Sequence, residues 1–236
     1  MKDLLVTYQK ELVGASPAEA LRWALSTFGA DQVGLASSFG VEDQLLTHWF
    51  AGVTSKPFIF SLDTGRQFEE TYKCMSSTMD TYKISYQVYL PNAEKLKALL
   101  ETKGPNSFYQ SVENRRECCG IRKVEPLGRA LKGLKLWITG QRQEQSVTRS
   151  ALETIEWDPS NGLFKLNPLA QWTEAQVWEQ VKKHKVPYNQ LHDQGFPSIG
   201  CQPCTREVPA GEDARSGRWW WEAPEHKECG LHNRPS

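Results

Sequence analysis

Val33-Gly34-Leu35-Ala36-Ser37-Ser38-Phe39-Gly40-Val41-Glu42-Asp43 reads as a strand, a loop and the opening of a helix. The apolar run 33–37 is short and bounded by small polar residues, which suits a buried strand better than a helix. The helix is expected over 41–50. The same alternation repeats outward. Residues 57–62 form a second strand ending in Asp63-Thr64-Gly65, followed by a helix over 68–79. Residues 84–90 form a third strand, after which Pro91 and Asn92 open a helix to Leu100. Residues 135–139 form a fourth strand ending at Gly140. A helix over 17–28 is opened by Ser16-Pro17 and carries Leu21 and Leu25 at helical spacing. Strands alternating with helices imply an α/β fold, a parallel sheet sandwiched by helices.

From about Leu152 the character changes. Residues 152–169 suit short strands or a hairpin around Asp158-Pro159-Ser160-Asn161-Gly162, and Thr173 with Gln176 caps a helix running through Lys185. The chain is loop-rich from Pro187. It divides into a body, 1–208, and a loop-rich, mobile C-terminal tail, 209–236.

Composition narrows the function. The chain has 236 residues, 39% apolar, with 28 basic and 28 acidic side chains and no net charge. A general nucleic-acid coat needs a basic excess, so nucleic acid is not an expected partner. No apolar run is long enough to span a membrane, and the first residues lack a secretory core. The expected location is therefore cytoplasmic, where thiols stay reduced. Self-association into a homo-oligomer is left open.

Five of the six cysteines form a pattern. Cys118 and Cys119 are adjacent, Cys201-Gln202-Pro203-Cys204 is a second pair, and Cys229 stands alone in Glu228-Cys229-Gly230-Leu231-His232. Disulfides belong mostly to short secreted chains. A four-thiolate zinc site spaces its ligands in pairs two to four residues apart. Cys201 and Cys204 fit that spacing, and Cys118-Cys119 does not, because adjacent side chains converge poorly on one ion. A cubane iron–sulfur cluster is larger, and neighbouring thiolates can hold different irons. A thioredoxin-type dithiol would sit at a strand-to-helix junction, whereas Cys201 follows a Gly/Pro-rich loop. The readings rank as cluster, zinc, then dithiol. Cys229 reads as a nucleophile.

In open α/β sheets ligands bind beyond the carboxyl ends of the strands. Ser37-Ser38-Phe39-Gly40 lies at such an end and could cradle a phosphate at a helix N-terminus, although a serine-rich helix cap explains it as readily. Leu62-Asp63-Thr64-Gly65 and Thr139-Gly140-Gln141-Arg142 lie at two more, with Arg149 close behind. Turns and solvated loop charges are the plainer readings of these.

Taken together, these motifs resemble the adenylyl-sulfate and phosphoadenylyl-sulfate reductases of assimilatory sulfate reduction, within the adenine-nucleotide α-hydrolase-like (PP-loop) superfamily. The resemblance runs from about Gly34 to His232. It rests on residues 37–43, Leu62-Asp63-Thr64-Gly65, Cys118-Cys119-Gly120-Ile121-Arg122-Lys123-Val124, Trp137-Ile138-Thr139-Gly140-Gln141-Arg142 and the terminal Glu228-Cys229-Gly230-Leu231-His232. The loop at Ser37 looks like a degraded form of the Ser-Gly-Gly-x-Asp-Ser loop of ATP pyrophosphatases, which suggests nucleotide binding without ATP cleavage.

The resemblance implies a thioredoxin-dependent reductase of adenylyl sulfate (APS) serving sulfate assimilation and cysteine biosynthesis. Members with both cysteine pairs mainly use APS, and some also accept the 3′-phosphorylated substrate (PAPS). It further implies one 4Fe–4S cluster on Cys118, Cys119, Cys201 and Cys204, and an S-sulfonate on Cys229. Lys123 would lie between cluster and substrate, with His232 beside the nucleotide or positioning the tail. Ser37, Ser38, Gly40, Leu62, Asp63, Gly140, Arg149, Arg215 and Arg218 would contact substrate. More distant readings are a PP-loop tRNA-thiolation enzyme and a zinc-stabilised interaction module. Cys74 reads as a buried apolar thiol, His48, His184 and His192 as structural, and Trp219-Trp220-Trp221 as tail packing, a shield for the site or a thioredoxin contact.

Overall fold

The computed structural model describes residues 2–145, 151–209, 211–223 and 230–231. In order these are α1 (Lys2–Glu11), α2 (Pro17–Phe28), β1 (Val33–Ala36), α3 (Val41–Val53), β2 (Ile59–Leu62), α4 (Glu69–Tyr82), β3 (Gln87–Tyr89), α5 (Ala93–Lys103), α6 (Val112–Cys119), α7 (Glu125–Leu131), β4 (Leu136–Ile138), β5 (Ile155–Asp158), β6 (Leu163–Leu166) and α8 (Glu174–His184). The sheet order is β3-β2-β1-β4-β6-β5. The α/β reading from sequence therefore holds. One strand departs from the parallel expectation: β5 pairs antiparallel with β6, because the two are joined by the tight turn after Asp158. Helix α1 and the helical run 112–131 were not anticipated. The strand expected over 84–90 narrows to three residues.

By internal contacts the chain forms two compact units, residues 1–60, 70–87 and 133–190, and residues 61–69, 88–132 and 191–236. In the first unit the core is built from β1, β2, β4 and β6 with the inward faces of α2, α3 and α8. Leu21, Leu35, Leu45, Leu46, Phe50, Leu136, Ile138, Leu166 and Val177 are fully buried there. Helix α2 starts after Ser16-Pro17 as expected, with a capping box between Ser16 and Glu19 besides, and α8 starts at the capping box between Thr173 and Gln176 that the sequence indicated. The second unit has a smaller core. Phe108, Cys119, Cys201, Cys204 and Trp219 are its buried centre, with Cys118 and Trp221 packed against it.

β1 is central because both of its edges pair in parallel, with β2 on one side and β4 on the other. The chain runs from β1 outward through β2 and β3 and then crosses to β4 on the other side of β1, so the carboxyl ends of β1 and β4 flank a topological switch point. Gly34 on β1 permits this packing. A Cβ there would lie 2.8 Å from Leu134 Cδ1 and 2.8 Å from Phe58 Cδ1. Gly34→Val should overpack this layer and cost about 1–3 kcal/mol. In urea unfolding the midpoint should fall with an unchanged slope; an unaltered midpoint would show that the layer has slack.

Candidate functional site

At the switch point the chain leaves β1 through Ser37-Ser38-Phe39-Gly40. Phe39 sits in the left-handed region, φ 62°, a conformation a bulky residue adopts only when its surroundings hold it. Its ring is buried and packs edge-on against Tyr86, centroids 5.1 Å apart. Gly40 then starts α3 with no side-chain cap. Unlike Ser16 or Thr173, no hydroxyl closes this helix end, so the N–H groups of its first turn remain for a ligand.

A buried carboxylate fixes the loop. Asp43 Oδ2 accepts from the Ser38 N–H and the Ser38 hydroxyl, each at 2.7 Å. It also accepts from the Gly140 backbone N–H at the end of β4. A side chain at 140 would strike the Asp43 carboxylate and lie 2.8 Å from Glu42 Cβ, so glycine is required at this close approach. Beside it Glu42 pairs with the buried Arg142 at 2.9 Å. Ser38 and Gly140, expected to share a ligand, are thus tied together by Asp43, to which the sequence reading gave no role. Ser37 is buried and accepts from the Phe39 N–H at 3.3 Å.

The second unit gathers the sulfur. Cys118, Cys119, Cys201 and Cys204 line one cavity together with Arg66, Phe108, Arg115, Arg122, Lys123 and Pro203; its volume is about 20 Å3. Cys118 and Cys119 end α6, and a π-helical turn, Gly120–Val124, separates them from α7. The turn has a cause in the sequence. Pro126 lacks the N–H that a continuous helix would donate four residues back, and its ring would crowd that carbonyl. The extra residue of the π turn absorbs this misfit and re-aims Arg122 and Lys123. Pro203 opens the short turn Gln202–Cys204.

Charge and burial sort the thiols. Burial would raise Cys201, but Lys123, then the Thr64 hydroxyl, Arg218 and Arg122 outweigh it and draw the thiol below its ordinary value. Its Sγ donates to Thr64 Oγ1 at 3.3 Å. Burial, with Cys201 and Cys119 nearby, pushes Cys204 up to about 12. Cys118 is raised by burial despite Arg122. Arg122 also donates to the Thr64 carbonyl, while its Nε and the Nη1 of Arg66 are buried without a hydrogen-bond partner. Among the described residues no group of three or more Cys, His, Asp or Glu is arranged to hold a single metal ion.

The other expected contacts fall as follows. Leu62 ends β2 and Asp63 closes a turn by accepting from Gly65 N–H at 2.8 Å. Arg215 is half-buried, while Arg218 is buried, 4.6 Å over the Trp219 ring and facing Cys201. Cys229, His232 and Arg149 lie outside the described residues. Cys74 is buried and pushed up to about 12 by burial, in keeping with an inert core thiol. His48 and His184, treated separately in sequence, stack with centroids 4.8 Å apart. Arg66, Arg115 and Glu222 were missed altogether. Arg66 is a single charge in a polar stretch and Arg115 one of several in Glu113-Asn114-Arg115-Arg116-Glu117, and nothing in their spacing points inward.

Asp43 yields a pH test. Burial raises its carboxyl from 3.8 to about 6, against the hydrogen bonds from Ser38 and Gly140. The folded state then holds this proton more tightly than the unfolded chain, so stability falls as pH rises from about 4 to about 6 and is level above. Between pH 4.5 and 7.5 this group should cost the wild type about 2 kcal/mol. Asp43→Asn should lose that component of the pH dependence in urea unfolding. Parallel pH profiles for the two proteins would refute the assignment.

Residues 32–207 match the phosphoadenosine phosphosulfate reductase domain. The chain is 49% identical to the adenosine 5′-phosphosulfate reductase of Allochromatium vinosum over 86% of its own length and 80% of the relative's. It is 48% identical to the enzyme of that name from Burkholderia cepacia, over 92% and 88%. Its structure resembles the phosphoadenylyl-sulfate (PAPS) reductase of Candida auris, with a TM-score of 0.75 and 30% identity over 88% of this chain and 98% of that one. On sequence and on fold alike, the chain belongs to the phosphoadenosine phosphosulfate reductase domain family.

Proposed function

We propose that this chain reduces APS to sulfite and AMP, with thioredoxin as electron donor and an S-sulfonate on Cys229 as intermediate. The observation that carries the reading is the convergence of two cysteine pairs, far apart in sequence, on one cavity with Lys123, Arg66, Arg115 and Arg122. The relatives at 48–49% identity that bear the APS reductase name support it. The tRNA-thiolation and zinc-module readings give way to this family membership.

In this proposal Cys229 is the nucleophile. Among the described thiols, Cys74 suits the task poorly because it is buried and pushed up to about 12, and Cys118, Cys119, Cys201 and Cys204 are the proposed cluster ligands. The Cys229 thiolate attacks the sulfur of APS. A sulfur–sulfur bond forms, the bond from sulfur to the phosphate oxygen breaks, and AMP leaves with that electron pair. A thioredoxin thiolate then attacks Cys229 Sγ and sulfite departs. The second thioredoxin thiol releases Cys229, and the two electrons come from the dithiol. The N–H groups opening α3 after Gly40, with Ser37, Ser38 and Gly140, would hold the nucleotide. Leu62, Asp63, Arg149, Arg215 and Arg218 remain proposed contacts, Lys123 would screen the anionic sulfate, and His232 would position the tail. The tail 209–236 is proposed as the carrier of Cys229, and the cytoplasm as the location of the reaction.

A 4Fe–4S cluster would be held by Cys118, Cys119, Cys201 and Cys204. The donor set suits it, and the buried, unpartnered N–H groups of Arg66 and Arg122 suit its acceptor sulfurs. The four thiols line one cavity with these cations, which is where the cluster would sit. When bound, the cluster supplies a fixed local charge beside Lys123, and the electrons for sulfur come from thiols.

Anaerobically purified protein should be brown, with about four irons and about four sulfides per chain; stoichiometric zinc would end the cluster proposal. With reduced thioredoxin it should form sulfite from APS, and parallel assays with PAPS test dual use. Without thioredoxin, APS should leave one sulfonate on the Cys229 peptide and an equal amount of AMP, and Cys229→Ser should form none. Turnover by Cys229→Ser, or a sulfonate on Cys74, would remove the mechanism. Lys123→Ala should lower turnover about 100-fold with iron retained; a small effect would deny it a role at the sulfate.

A further inference from the structure

The segment Arg218–Glu222 is stitched to both cysteine pairs. Arg115, fully buried, grips Glu222 with two hydrogen bonds, Nε to Oε1 at 2.9 Å and Nη2 to Oε2 at 2.7 Å. It stands four residues before Cys119 on α6 and also reaches the Cys119 thiol. Its guanidinium lies 4.8 Å from the centre of the Trp219 ring, and Arg218 lies 4.6 Å from the same ring. Trp219 N–H donates to the Cys204 carbonyl at 3.2 Å, and Glu222 N–H to the Trp219 carbonyl at 2.8 Å. Arg218 bridges to Thr205, next to Cys204. Arg218 also fills the space where a Cβ on Gly200, the residue before Cys201, would stand, with Nη1 at 2.8 Å.

An ion pair buried this deeply is costly to desolvate and strongly disruptive to break. It is an odd device for a tail unless the position of the chain at that point matters. Glu222 stands seven residues ahead of Cys229, and seven extended residues span at most about 25 Å. We infer that Arg115 and Glu222 are positioning residues: their pair anchors the chain on the cysteine centre and sets the length of the tether that carries Cys229. The anchor turns reaction at Cys229 into an encounter at a fixed short tether, whose effective concentration falls steeply with added length. This inference rests on the proposed role of Cys229.

Insertions on either side of the anchor test it. A 24-residue Gly/Ser segment placed between Ala223 and Pro224 lengthens the tether from seven residues to thirty-one. It should slow sulfonation of Cys229 by APS about tenfold, with AMP affinity and iron content unchanged. The same segment placed between the exposed Gly211 and Glu212 should change the rate less than twofold, because the anchor resets the tether downstream of it. In Glu222→Gln the upstream insertion should become costly, and trypsin should cut after Arg218, which is buried in the wild type. Equal effects from the two insertions in the wild-type background would overturn the inference. Should Glu222→Gln fail to fold, that comparison decides alone. Should the wild type form no sulfonate on Cys229, the proposed mechanism fails and trypsin decides the anchor. New cleavage after Arg218 in folded Glu222→Gln upholds it, and retained protection overturns it.

Discussion

The second unit depends on one constraint: four sulfur side chains, three buried and one half-buried, share one cavity with little solvent for their charge. Neutral thiols meet it by staying protonated, which is why burial drives Cys204 up to about 12. Thiolates meet it only if cations come inside with them. Arg66, Arg115, Arg122 and Lys123 line the cavity, and Arg218 stands close enough to act on Cys201. Cations so placed need their own support, and much of the local structure provides it. Arg122 is held by the Thr64 carbonyl, Arg66 by Asn106 and the face of Phe108, and Arg115 by Glu222 and Trp219. The aromatic residues of this unit therefore do two jobs. They exclude water, and their faces receive guanidinium groups that would otherwise lie against hydrocarbon.

The first unit solves a similar problem with one carboxylate. Asp43 is buried at a helix start, where an anion is favoured, yet desolvation keeps its carboxyl near 6. Its value lies in what it accepts. One carboxylate takes the N–H and hydroxyl of Ser38 and the N–H of Gly140, so two loops from neighbouring strands are fixed by a single side chain. A neutral Asn offers one acceptor oxygen where the carboxylate offers two, and its amide nitrogen would face donors. The left-handed backbone of Phe39 is tolerable because this bracing and the packing on Tyr86 leave the loop no cheaper conformation.

Much of this was legible in the sequence. Strand and helix periods gave the α/β class, because buried parallel strands read as short apolar runs between turn residues. The Ser16-Pro17 opening and the capping box of Thr173 with Gln176 marked two helix starts. What stayed hidden was long-range. Arg115 and Glu222 are 107 positions apart, and neither carries a local signal. Helix α6 is hard to read because its apolar face is sparse: it buries only Arg115 and Cys119, so there is no stripe to detect. The hairpin around residues 158–162, by contrast, was legible in its turn residues, and it sets edge strand β5 antiparallel to β6. Asp43 stood inside a motif already singled out, but a carboxylate in the first turn of a helix is so common that its burial could not be foreseen.

The charge balance of the whole chain also misleads when read alone. Zero net charge argues against a nucleic-acid coat, yet it conceals a local cationic excess around the sulfur cavity. Among the lining residues there are four cations and no carboxylate, and Glu222 stands behind Arg115. Screening by salt is weak for groups buried this far, so their field persists where that of surface pairs fades. Such a field favours any anion brought to the pocket, whether thiolate, cluster or sulfate. Pairing Arg115 with Glu222 removes one cation from that count and leaves Arg66, Arg122 and Lys123. On the reading proposed above, the site separates two functions that a uniform basic patch would merge, with Arg115 holding the chain and Arg66, Arg122 and Lys123 left to act on what binds.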